Sequence, residues 1–100
     1  MEKDNKMKNE IYKELKVSFQ GMEQKIKDKK DYKAQLKFKI DLYNKCLDDH
    51  LLEKGSRLIK EHLDETKKEV KEVDEQIEAL MLEKDAYRIE LEVFEAAFRD

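Results

Sequence analysis

Cys46, His50 and His62 are the side chains of this sequence that bring metal-ligand chemistry close together. Cys46 and His50 stand four apart and so share one face of a helix. With the chain folded back, His62 would come opposite them, and Asp49 could complete a tetrahedral zinc shell. Structural zinc sites carry paired Cys or His motifs on turns, however, and none is present. We therefore expect no metal and no cofactor, with Cys46 acting as a small packing residue.

A second cluster is basic. Lys25 to Lys39 holds seven Lys against Asp28 and Asp31, interleaved with Tyr32 and Phe38. Such a surface can bind nucleic acid, with aromatic rings stacking on unpaired bases. Arg is absent from the block, and the chain as a whole has a pI near 5.5. Both facts favour a solvated or internally paired face. Asp48-Asp49 and Asp74-Glu75 are the kind of paired acids that acid–base catalysis uses. They fall on exposed helical positions without a pocket, and there is no glycine-rich phosphate loop or nucleophile elbow. The expectation is a protein that is not an enzyme.

The elements that carry these residues are set by two ladders. In the second half, Ile59, Leu63, Thr66, Val70, Val73, Ile77, Leu80, Lys84, Tyr87, Leu91, Phe94 and Phe98 alternate in steps of four and three. That is the apolar seam of a heptad helix. The first half has its own: Tyr12, Leu15, Phe19, Met22 and Ile26, then Lys29 and Lys33, then Leu36, Ile40, Tyr43 and Leu47 in the same phase. The lysine rungs leave two alternatives, one continuous first helix or a kink near residues 27–31 that makes three helices. Lysine stems can run along the seam while their ammonium groups stay wet.

Composition agrees with long solvated helices. Charged residues make up 47%, Pro is absent and there are two Gly. One hundred residues allow a single small domain, and a single Cys gives no internal disulfide framework. Glu53-Lys54-Gly55-Ser56 reads as the break, with Gly55 at a helix C′ position and Ser56 as the next N-cap. The expected layout is arm one over about 5–54, a turn at 54–56 and arm two over about 57–99, one antiparallel hairpin. Charge supports the fold-back. Residues 1–54 carry net +3 and residues 55–100 net −6. Reversal at Gly55 places the lysine block beside residues 71–85, whose net charge is −4.

Apolar residues off the ladders widen the seam. Phe38, Leu42 and Cys46 in the first arm, and Leu82, Ala86, Ile89, Val93 and Ala97 in the second, extend beyond what a two-stranded seam buries. With the aromatic end, Phe94 and Phe98, they form the expected partner-binding surface. A core two helices thick is narrow and calls for a partner or a second copy. The first ten residues are polar, without a signal-peptide core, and no apolar run approaches a membrane span. The expected location is cytoplasmic, or outside the cell by a route other than general secretion in company with a partner.

In length, in its two long arms with Gly55 near the midpoint, and in its surplus helical surface, the chain resembles the small helical-hairpin proteins of bacterial type VII secretion. These are the WXG100 proteins and the α-helical proteins that accompany LXG-domain effectors. It departs from them at the turn, which reads Glu53-Lys54-Gly55 instead of Trp-x-Gly. It also lacks a Tyr-x-x-x-Asp/Glu export signal, since Tyr87 is followed at that spacing by Leu91. The resemblance implies an adaptor or chaperone that binds the helical N-terminal region of an effector. Two alternatives stand beside it. One is a small phage or mobile-element inhibitor acting on a nuclease or nucleic acid through Lys27, Lys29, Lys30 and Lys33. The other is a homodimeric four-helix spacer.

Overall fold

A computed structural model describes the backbone of residues 2–48 and 53–97, and the side-chain surroundings of residues 5–48 and 55–97. Two helices account for all of it: α1 over Glu2–Asp48 and α2 over Glu53–Ala97. They pack against each other as an antiparallel hairpin, with no strand among the described residues. The all-α hairpin read from the two ladders is thus the fold.

α1 runs unbroken through residues 27–31, so the three-helix alternative is not realised. The apolar phase explains this. Ile26 and Leu36, both buried, sit on either side of the lysine rungs and hold one helical face to the seam. Gly21 also lies inside α1, where an added Cβ would meet nothing within 4 Å. It is a tolerated weak point rather than a hinge. Lys45 in the last turn of α1 offsets the negative end of the helix dipole.

The turn differs from the expectation. α2 begins at Glu53, so Gly55 and Ser56 belong to its opening turn and not to a loop at 54–56. Residues 49–52, between the two helices, lie outside the described residues. A glycine at C′ is worth only about 1 kcal/mol over helix, whereas each buried rung contributes roughly 1.5–3 kcal/mol. Seam packing therefore sets where the chain reverses. Cross-helix partners shift accordingly, by about one helical turn. Reversal at Gly55 would put Tyr43 near residue 67 and Lys33 near residue 77. They meet His62 and Asp74 instead.

Two compact units divide the hairpin. One comprises residues 28–77; the other combines residues 1–27 with 78–100. In the first, Leu36, Leu63, Val73 and Ile77 are buried, with Val73 the most enclosed at 3% exposure. Thr66 is buried among them, and its Oγ1 donates to the His62 carbonyl at 2.7 Å, so the polar rung is satisfied within its own helix. In the second unit, Met22 and Ile26 are buried. Every other described rung of both ladders is at least half-buried. No side chain of the described residues is sealed completely, as a core one seam wide requires.

Candidate helix-docking surface

The lysine rungs show how polar groups fit the seam. In the 28–77 unit, Lys33 Nζ lies 2.5 Å from Asp74 Oδ1 across the helix pair. This is the opposed-charge pairing that the two windows imply. In the other unit, Lys84 Nζ stands 5.4 Å from the Phe19 ring centroid, a cation–π distance. Each ammonium group meets a partner on the other helix.

Aromatic contacts fasten each unit. Tyr43 stacks on His62 at 5.9 Å between centroids, with Lys39 Nζ 5.8 Å from the Tyr43 centroid. The Tyr32 hydroxyl donates to Glu69 Oε1. That bond to a carboxylate, aided by partial desolvation and by the Glu69 charge, holds the phenol above its ordinary pKa of 10.0. In the other unit Tyr12 stacks on Phe94 at 6.0 Å and donates to Glu95 Oε1 at 2.6 Å. Phe94 is therefore half-buried against Tyr12.

His62 has its ring on Tyr43, and His50 and Asp49 lie outside the described residues. Among the described residues no group of three or more His, Cys, Asp or Glu is placed to hold a metal. In the basic block Lys25, Lys27, Lys30 and Lys37 are exposed, Lys33 is paired, and Tyr32 is held by Glu69. No helix among the described residues is long and apolar enough to cross a membrane.

The apolar flank resolves into two patches, one on each unit. On the 28–77 unit, Phe38 is 64% exposed and Leu42 is largely open, while Cys46 is half-buried. On the other unit, Leu82, Ala86, Ile89, Val93 and Ala97 are all exposed, Leu82 at 73%. Phe98 lies outside the described residues. The second patch has a geometry that the sequence reading placed only beside the seam. With Leu63 and Thr66 as positions a and d, Leu82 and Ile89 fall at f, and Ala86 and Val93 at c. Those positions point away from the partner helix. The second half of α2 thus has two apolar faces: an inner one against α1 and an outer one against solvent. From Leu82 to Val93 the outer stripe covers three turns, about 16 Å.

The same stretch is acidic at its edges. Arg88 donates from Nε and Nη2 to Asp85 Oδ1 at 3.0 and 2.7 Å, and from Nη1 to Glu92 Oε1 at 2.7 Å. The bonds to Asp85, and then those to Glu92, raise the guanidinium pKa further.

Among the described residues the hairpin thus combines a packed inner seam with an open apolar stripe on the second half of α2. No family model matches the sequence, and no curated protein and no solved structure shows significant similarity to it.

Proposed function

We propose that this chain is a non-enzymatic adaptor that binds a helix of another protein on the outer face of α2. The observation that carries the reading is the stripe of Leu82, Ala86, Ile89 and Val93, exposed at c and f positions of a helix whose a and d positions are already covered. A surface helix usually has one apolar face. A second, aligned one is the form used in helix-in-groove and bundle-completing recognition. Docking would bury side chains worth roughly 1.5–3 kcal/mol each at full burial, less the cost of ordering the complex. In the type VII setting that the resemblance implies, the bound helix would belong to the N-terminal region of an effector.

Paired measurements on Ile89→Gln/Val93→Gln test this. On a free face the exchange leaves the urea-unfolding free energy of the isolated chain within about 0.5 kcal/mol of the parent. It also abolishes binding of an amphipathic helical peptide. A loss of stability above about 1 kcal/mol would show that the stripe is covered within the chain itself, and the proposal would fail.

A further inference from the structure

The borders of the outer stripe specify the charge of what covers it. Heptad positions b and g flank c and f on either side. Between residues 78 and 92, position b is Glu78, Asp85 and Glu92, and position g is Glu83 and Glu90. Every flanking position is a carboxylate. Arg88 is shared between Asp85 and Glu92, so that edge keeps a net negative charge. Lys84, the other cation of this stretch, is turned to the Phe19 ring. Among the described residues Glu83 and Glu90 form no ion pair. All five carboxylates are exposed.

An apolar stripe railed by carboxylates discriminates among helices of equal hydrophobicity. A helix with acidic flanks would set like charges against like along both edges, and like-charge juxtaposition opposes docking. Two copies of this face meeting each other would suffer the same conflict. A helix with an i, i+3, i+4, i+7 apolar ridge and Lys or Arg on both sides would place cations against Glu83 and Glu90 on one edge. It would meet Glu78 and the Asp85–Glu92 pair on the other. We infer that the occupant of the Leu82–Val93 stripe is a basic amphipathic helix of another protein. This rests on the docking role proposed above and adds to it the chemistry of the partner.

Two synthetic helical peptides of about 18 residues, five turns, test it. Both carry the same Leu/Ile ridge. One has Lys at every flanking position, the other Glu. Binding to the full chain is read by fluorescence anisotropy. At about 50 mM salt the Lys-flanked peptide should bind at least about tenfold more tightly, and the margin should shrink severalfold at about 500 mM, where charges are screened. The Glu83→Lys/Glu90→Lys variant, with helicity checked by circular dichroism, leaves one cationic and one anionic edge and should remove most of the preference.

Equal affinity for the two peptides would overturn the charge selection and leave the docking role standing. Binding of neither would overturn both. Attachment of the Lys-flanked peptide that survives Ile89→Gln/Val93→Gln would be non-specific attraction and would also overturn both. A doubled mass by light scattering, with the peptide unable to compete, would assign the stripe to a second copy and overturn the inference.

Discussion

Lys33 and Asp74 meet across the helix pair at 2.5 Å, from a rung where an apolar residue would ordinarily sit. The pair is partly wet, with side-chain exposures of 27% and 48%. An ion pair at such a place contributes only about 0–1 kcal/mol, while an apolar side chain on the same rung gains roughly 1.5–3 kcal/mol if fully buried. Lys33→Leu should therefore raise stability, by about 1 kcal/mol after the lost pair is counted. Urea denaturation at low and high salt checks this. The gain should be larger at high salt, because screening weakens only the parent's pair.

Tyr32 and Glu69 give the hairpin an alkaline limit. The phenol pKa is raised in the fold, chiefly by its hydrogen bond to the Glu69 carboxylate. A raised folded pKa means that the stabilisation is fully present below the unfolded value, about 10, and is lost as pH climbs through the folded value. Absorbance titration near 295 nm should show one tyrosine ionising later than the ordinary range. Tyr32→Phe should remove that late phase, and Glu69→Gln should move it down. A titration unchanged in Glu69→Gln would refute the coupling.

Gly21 interrupts an otherwise good helix former, and the space beside it is empty. Gly21→Ala should raise the unfolding free energy by about 0.5–1 kcal/mol, through lower entropy of the unfolded chain. The urea midpoint should rise with an unchanged slope. A destabilisation would mean that α1 requires flexibility at this point.

Inner and outer apolar residues should separate sharply. Leu36 is 4% exposed and Leu82 is 73% exposed. Leu36→Ala should cost about 2–3 kcal/mol, the low end for buried leucine because a thin core can relax around the gap. Leu82→Ala should stay within about 0.5 kcal/mol. Thermal unfolding followed by circular dichroism distinguishes them, and similar losses at both sites would contradict the assignment of inner and outer faces.

Helical periodicity carries angular information, and that part of the structure was legible in the sequence. Each described rung from Tyr12 to Leu47, and from Ile59 to Phe94, turns inward, including the polar ones: Lys29, Lys33, Thr66 and Lys84. The exposure of Leu82, Ile89 and Val93 follows from the same wheel, because a residue's angle about the axis depends only on its place in the count. Axial information is different. Where the chain reverses, and hence which residue faces which, depends on how two helices slide past each other. A repeating seam gives nearly equivalent registers one turn apart. Gly55 marked a locally favourable turn, yet α2 begins before it, and tertiary packing put Tyr43 on His62, Lys33 on Asp74 and Tyr12 on Phe94. Local glycine preference is worth less than a set of matched rungs across the seam, so only the folded pair could decide the register.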